Sequence, residues 1–242
     1  MSIRRILLAL GALSVGSVGA MAADLPVKAP PMMAPPPPPP FSWTGCYIGG
    51  DVGYAWGRDR DDETFIATGN PSPFSPVDTA NVNGAKLGGY VGCNWQVQSF
   101  VFGAEGDAEW ANLKGSANFA NTGFPPDFYE TTVRWEASAR GRIGYAFDRV
   151  LLYATGGAAF AHINEHDQIG ATGAATDHAT TRTGWTVGGG IDYAFTNNLI
   201  GRVEYRYADF GHFSYDPIVF PAFREDHRFT ENAVRVGLAW KF

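Results

Sequence analysis

The final nine residues, VRVGLAWKF from Val234 to Phe242, decide the fold. Val234, Val236, Leu238, Trp240 and Phe242 share one parity, and Arg235, Gly237, Ala239 and Lys241 take the other. Successive side chains leave a strand on opposite sides, so a period of two marks a strand with one apolar and one polar face. Toward the N-terminus, Leu199, Val203, Tyr205 and Tyr207 oppose Arg202, Glu204 and Arg206. Val133, Trp135, Ala137, Ala139, Ile143, Tyr145 and Phe147 oppose Arg134, Glu136, Ser138, Arg140 and Arg142. Phe102, Ala104, Ala108 and Trp110 oppose Glu105, Asp107 and Glu109. A helix would scatter these charges around its circumference. The segments exceed the ~5–6 residues of an average soluble strand and suit the ~9–11 residues of a tilted membrane strand.

The whole chain yields eight such segments: Trp43–Trp56, Asn83–Trp95, Phe100–Leu113, Thr131–Phe147, Val150–His162, Thr183–Phe195, Leu199–Phe213 and Arg228–Phe242. Their connections alternate in length. Gln96–Ser99, Asp148-Arg149 and Thr196–Asn198 are short and rich in turn formers, as hairpins require. The stretches near residues 57–82, 114–130, 163–182 and 214–227 are long and rich in Gly, Pro, Asn, Asp and Thr. Short periplasmic turns opposite long outer loops are the asymmetry of an outer-membrane barrel. The expected fold is therefore all-β, an eight-stranded antiparallel up-and-down transmembrane barrel. Trp43, Trp56, Trp95, Trp110, Trp135, Trp185 and Trp240 lie near strand ends, where aromatic girdles meet the membrane interfaces, and this disfavours a soluble secreted barrel.

Composition agrees. Thirty Gly and 34 aromatic residues with only 17% charged residues favour a β-rich chain with close backbone approaches over a helical bundle. The net charge of −6, or −8 once Arg4 and Arg5 leave with a leader, disfavours nucleic acid as a partner. Residues 1–22 read as a signal peptide: Arg4 and Arg5 precede the apolar run Ile6–Ala20 and the cleavage pattern Ala20-Met21-Ala22. Residues 23–40 form a proline-rich periplasmic linker, with Pro35–Pro40 unbroken. In polyproline II form, Asp24–Pro40 would reach ~50 Å, a spacer that could contact the cell wall. Residues 41–242 are the barrel.

The order of several pieces resembles a known family. An Ala-Asp start before the proline stretch is followed by Trp43-Thr44-Gly45, Tyr47-Ile48-Gly49-Gly50, the Gly88-Gly89-Tyr90 to Asn94-Trp95 strand and the Arg235–Phe242 ending. Residues 20–242 resemble the RopB-type outer-membrane β-barrel proteins of alpha-proteobacteria. The resemblance implies an abundant, porin-like eight-stranded barrel whose C-terminal aromatics, Trp240 and Phe242, are read by the barrel-assembly machinery. It brings no catalytic residues and no cofactor. Haem-binding relatives exist in the broader superfamily, but no motif here transfers a haem site.

If the polar parity faces inward, the interior gathers Asp51, Glu105, Asp107, Glu109, Glu136, Asp192 and Glu204 with Lys86, Arg134, Arg140, Arg142, Arg202, Arg206, Arg235 and Lys241. Glu105 and Asp107 should fall near the heights of Arg142 and Arg140 and form charge-assisted hydrogen bonds. Eight strands enclose little more than their own side chains, so a plugged interior is expected, with a small pore as the alternative. Arginines beside the acids argue against acid–base catalysis, and there is no nucleophile constellation, P-loop or paired C-x-x-C; an enzyme is not expected. His162, His166, His178, His212 and His227 map to the outer loops and strand ends and are the candidate ligands of a metal-binding or haem-binding receptor. Asp59, Asp61, Asp62 and Glu63, interleaved with Arg58 and Arg60, read as a solvated acidic loop.

Cys46 shares the apolar parity of Ile48, Val52 and Tyr54, and Cys93 that of Leu87, Val91 and Trp95. One lies near the start of strand 1 and the other near the end of the antiparallel strand 2, which brings them to similar height. Export to an oxidising compartment permits a disulfide between them; a register slip of two residues would instead leave two small apolar groups in the lipid belt. The expected role is thus a structural outer-membrane barrel supporting envelope integrity and surface display. Its partners would be membrane lipid, lipopolysaccharide and the assembly machinery, with the termini periplasmic and the long loops extracellular.

Overall fold

The structure, a computed structural model, describes residues 40–70, 78–118, 128–168, 172–215 and 223–242. The expected signal peptide, and all of the expected proline-rich linker before Pro40, lie outside the described residues. Eight strands follow in order: β1 (Gly45–Phe65), β2 (Asp78–Val97), β3 (Phe100–Asn118), β4 (Phe128–Phe147), β5 (Val150–Gln168), β6 (Ala175–Ala194), β7 (Leu199–Tyr215) and β8 (Phe223–Lys241). Each pairs antiparallel with the next, and β8 pairs with β1 to close the barrel, so no strand edge is left to hydrogen-bond with lipid. Val97↔Phe100 and Phe147↔Val150 close two-residue turns at one end. Gln98 and Asp148 adopt left-handed backbone there (φ 56° and 53°), a conformation that Asp tolerates better than most residues.

The strands run past the points where apolar alternation stops. Strand 1 is expected to end at Trp56 yet continues to Phe65, and strand 6 begins eight residues before Thr183. Beyond the aromatic belt the outward positions become Arg58, Arg60, Thr79, Asn81, Thr181 and Thr183. The ladder hydrogen bonds persist there, because pairing does not depend on an apolar outer face. The histidine-bearing and acidic "loops" are in large part strand.

Parity holds along most of the wall. Val52, Leu87, Val91, Phe102, Ile143, Val187, Val203, Val236 and Leu238 face outward and are exposed in the isolated chain, as lipid-facing residues must be. Trp56, Trp110, Trp135 and Trp185 ring one end of this belt, and Trp95, Phe147, Phe195 and Trp240 the other. Two bulges break the pattern. On β4, Val133 pairs with Ile163 and Trp135 with His162 on β5, so Arg134 is the extra residue and is pushed to the outer face. The expected inward position of Arg134 is therefore corrected: an unpaired bulge residue reverses parity beyond it, and Val133 turns inward instead, fully buried. On β7 the register shifts between Asp209 and His212, with Gly211 at φ 73°.

The interior is filled in three layers. At the turn end, Trp43, Tyr47, Tyr90, Val101, Leu151, Tyr153 and Ile200 form one apolar cluster, with Phe41 packed against it. At the other end, Val82, Leu113, Val133, Ile163, Phe210 and Phe229 form a second, with small alanines between them. Charged residues occupy the height between. Trp43 is thus not a girdle residue: it is wholly buried, its indole N–H donating to the Asp148 carbonyl at 3.0 Å and its backbone N–H to Gln96 Oε1 at 2.7 Å.

Close strand approach explains why neighbouring glycines differ. A Cβ on inward Gly157 would lie 2.1 Å from the Ala139 carbonyl oxygen, whereas one on outward Gly156 would meet nothing nearer than 3.7 Å. Gly157→Val is expected to destabilise the barrel by about 3 kcal/mol or more through forced backbone displacement, and Gly156→Val by less than about 0.5 kcal/mol. Urea unfolding in detergent checks this; equal midpoints would show that the wall yields at Gly157.

Candidate functional site: the charged interior and the barrel mouth

The middle layer is one connected ion-pair network. Arg140, on β4, donates from Nη2 to Glu105 Oε1 (2.5 Å) and Asp107 Oδ1 (2.8 Å), and from Nη1 to Glu204 Oε1 (2.7 Å) on β7. Arg202 donates to Glu105 Oε2 at 2.7 Å and from Nε to Asp192 Oδ1 at 3.0 Å, and Arg142 engages the same Asp192. Arg206 reaches Asp107 at 3.2 Å and Glu109 at 2.7 Å. Arg235 engages Glu109 and Glu204 and lies 3.4 Å from Asp51. Lys86 Nζ draws together Glu136 (2.5 Å), Glu231 (2.8 Å) and Glu109 (3.1 Å). All of these side chains are at most 4% exposed, so each charge needs its partners to offset desolvation.

The structure thus brings together Glu105, Asp107, Glu109, Arg140, Arg142, Arg202, Glu204, Arg206 and Arg235, and leaves Arg134 outside. The pairing is one step away from expectation. Glu105 stands opposite Arg140 rather than Arg142, and Arg142 turns across the interior to Asp192. Tyrosines complete the layer, although their apolar rings gave no charge signal in the sequence. Tyr47 donates to Glu105 at 2.7 Å and Tyr153 to Glu204 at 2.8 Å. The Arg142 guanidinium lies 3.7 Å from the Tyr153 ring centroid, and that of Arg202 lies 4.3 Å from Tyr90, within the range of cation–π attraction. Lys241 sits at the turn end, 5.3 Å from the centre of the Phe41 ring, outside the network.

The five histidines do not converge. His162 faces outward and stacks on Trp135, with ring centroids 5.8 Å apart. His166 meets Asp177 at 2.6 Å on the outer wall, and His212 is exposed. His178 is half-buried on β6; burial, Arg182 and His227 all push its pKa down. Only His227 joins a group of metal-ligand type among the described residues: it is buried with Asp59 and Glu165, and one donor atom from each lies within 4.8 Å of the others. His227 Nδ1 stands 3.4 Å from Asp59 Oδ1, and Thr131 Oγ1 donates to Asp59 Oδ2 at 2.7 Å. Two carboxylates and an imidazole suit a borderline divalent cation. Asp59 is therefore part of the inner wall and not of a solvated loop; the side chains of Asp61, Asp62 and Glu63 lie outside the described residues. Nearby, burial disfavours ionised Asp209, but the Arg228 hydrogen bond at 2.8 Å and the Gly211 N–H hold its carboxyl below the usual range.

Cys46 and Cys93 are directly opposed across β1 and β2 and are joined as a disulfide, with Cα atoms 3.9 Å apart. The bond closes a segment with a sequence separation of 47 residues, worth about 4 kcal/mol by chain entropy. Thiol labelling of the oxidised, denatured protein should find no reactive thiol, and reduction should lower the unfolding midpoint; two labelled thiols would exclude the bond.

The sequence profile of the outer membrane protein β-barrel domain matches residues 8–242. The chain belongs to that family. It is similar to the 31 kDa outer-membrane immunogenic protein of Brucella melitensis biotype 1, with 34% identity over 243 residues, covering 93% of this chain and 95% of the relative. It is 31% identical to the 25 kDa outer-membrane immunogenic protein of Brucella abortus biovar 1 over 100% of this chain and 99% of the relative. Among solved structures, the outer membrane protein OprG of Pseudomonas aeruginosa superposes with a TM-score of 0.55 at 11% identity, covering 84% of this chain and 98% of OprG; this likeness concerns the fold alone. The family and its relatives place the barrel in the outer membrane, in agreement with the resemblance read from Trp43-Thr44-Gly45 and the terminal strand.

Proposed function

We propose that this protein is a structural, non-conducting barrel that contributes to envelope integrity and displays its loops on the cell surface. The observation that carries this reading is the filling of the lumen: a buried ion-pair layer held between two apolar layers, with Trp43 wholly buried at the turn end. Water and ions would have to displace both apolar clusters and break several buried charge pairs to pass. Continuous aqueous channels belong to wider barrels. The two-residue turns, Gly45 and Lys241 share one end, and short turns in such barrels are periplasmic; the termini then lie in the periplasm, with terminal Phe242 available to the assembly machinery, and the longer connections lie outside. The acids of the middle layer are engaged by guanidinium groups, the Lys86 ammonium and hydroxyls, so the reading assigns no catalytic step. The lipid-facing belt makes outer-membrane lipid and lipopolysaccharide its immediate partners. The proline-rich linker would extend toward the cell wall.

Single-channel recording of the refolded full chain in planar bilayers tests this reading. The expected trace stays at the leak level, whereas reproducible unitary conductance steps would replace it with a pore. A ligand-binding second reading is favoured by the Asp59, Glu165 and His227 group. Its test is zinc titration of the refolded chain against His227→Ala, where stoichiometric binding by the parent alone would establish it.

A further inference from the structure

Outward on β1 and β8, just beyond Trp56, three arginines gather. Arg60 and Arg228 are direct cross-strand partners, and Arg58 stands opposite Thr230 on β8 and Asn81 on β2. With Thr79, Asn81 and Thr230 they line a hollow of about 560 Å³. A second hollow of about 320 Å³ shares Arg58, Asn81 and Thr230 with it and descends past Asn83 and Asn232 to Trp56. Like charges set directly opposite each other on a sheet are destabilising, and Asp209 lies 2.8 Å from Arg228. Guanidinium groups bind phosphate in forked geometry, and the neighbouring amides and hydroxyls match the hydroxyls of a sugar.

The same wall is apolar below the aromatic belt. A groove of about 840 Å³ runs over Val52, Leu87, Val203, Val236 and Leu238, and its lining includes Gly50 and Gly201. Val52 and Arg58 are six residues apart on one strand, ~20 Å of rise. A polar, cationic hollow at interface height above an apolar groove on the same strands is complementary to an amphiphile and not to a free anion. We propose that this face holds one phosphorylated, multiply acylated glycolipid of the lipopolysaccharide class. Its phosphate is seated among Arg58, Arg60 and Arg228, its sugar lies against Asn81 and Thr230, and an acyl chain fills the groove. This deepens the lipid partnership proposed above and rests on the loop-bearing end facing the outer leaflet.

The test uses the refolded full chain in phosphatidylcholine nanodiscs carrying a few mole per cent of a bisphosphorylated, hexa-acylated glucosamine disaccharide in both leaflets, so that binding is read whichever way the barrel is inserted. Retained lipid is counted by native mass spectrometry. Combined Arg58→Gln, Arg60→Gln and Arg228→Gln should weaken retention at least about tenfold, and the dephosphorylated disaccharide should be retained as poorly. Inorganic phosphate should fail to displace the lipid. Gly50→Leu, whose Cβ meets only a carbonyl oxygen at 3.5 Å, should fill the groove and lower retention several-fold with the arginines intact. Equal retention by the triple variant or of the dephosphorylated lipid overturns the phosphate seat. Displacement by inorganic phosphate, or unchanged retention in Gly50→Leu, overturns the acylated ligand. If the triple variant fails to assemble, as judged by heat-dependent gel mobility, Arg58→Gln alone carries the comparison. Conductance of the same preparation reports separately on the sealed interior.

Discussion

Arg140→Met should destabilise the assembled barrel by about 3–5 kcal/mol, the cost typical of removing one partner from a buried ionic group. Methionine fills much of the volume but donates nothing, and three carboxylates lose a guanidinium at once: Glu105 at 2.5 Å, Asp107 at 2.8 Å and Glu204 at 2.7 Å. Each keeps another partner, in Arg202, Arg206 and Arg235 respectively, which places the effect toward the lower end of that range. Arg134→Met is the matched control. Its side chain is outside the barrel, and an exposed substitution changes stability by less than about 0.5 kcal/mol. Adding Glu204→Gln to Arg140→Met should recover part of the loss, since neighbours in one network are not additive. The measurement is the urea midpoint of detergent-refolded protein, read from the mobility difference between boiled and unboiled samples. Equal midpoints for the Arg134 and Arg140 variants would mean that the network contributes nothing to stability.

That the same residue type at positions six apart has opposite consequences shows where sequence reading works and where it stops. Facing is legible because the side-chain period of a strand is two, so Val236 and Arg235 declare opposite sides without any tertiary information. Arg134 also obeys the alternation of its neighbours, and a single bulge residue, which no composition marks, reverses the outcome. Register is less legible than facing. A shift of two residues preserves every inward and outward assignment, and by such a shift Glu105 meets Arg140 rather than Arg142.

The apolar layers were hidden for another reason. Val101, Leu151 and Ile200 lie on the inward parity close to the strand ends, where they read as exceptions to a polar face. Val82 and Ile163 lie just beyond the expected strand limits, and Phe229 at the very edge of one. Those limits followed the outer face, which becomes polar once the wall leaves the membrane, while the inner face still needs filling. His227, Asp59 and Glu165 meet through the same unseen extension, from three strands distant in sequence. Trp43 illustrates the converse: an aromatic near a strand end has the composition of a girdle residue, and only the closed floor of the barrel gives it an interior to occupy.

Val236→Arg tests the outer face at the depth where it matters most. Val236 pairs with Val52 on β1 and Val203 on β7, is 47% exposed in the isolated chain, and lies midway between Trp240 and Asn232 along β8. An arginine at the bilayer midplane of such a wall costs about 2–4 kcal/mol, falling to about 0–1 kcal/mol near the interfaces. The expected series is therefore graded, with Val236→Arg the most costly, Val234→Arg less so and Asn232→Arg nearly neutral, in equilibrium unfolding from phosphatidylcholine vesicles. Gly237→Ala acts on the other side of the same strand: its Cβ would lie 2.9 Å from the Gly50 carbonyl oxygen and 3.1 Å from Asp51 Cβ and Tyr90 Oη, a packing cost that does not depend on lipid. Repeating the series in detergent micelles separates the two causes. The depth gradient at 232, 234 and 236 should flatten as the hydrocarbon slab is lost, and the Gly237 effect should persist. A gradient that survives in micelles, or one that runs toward Asn232, would mean that this face of β8 does not meet the membrane core.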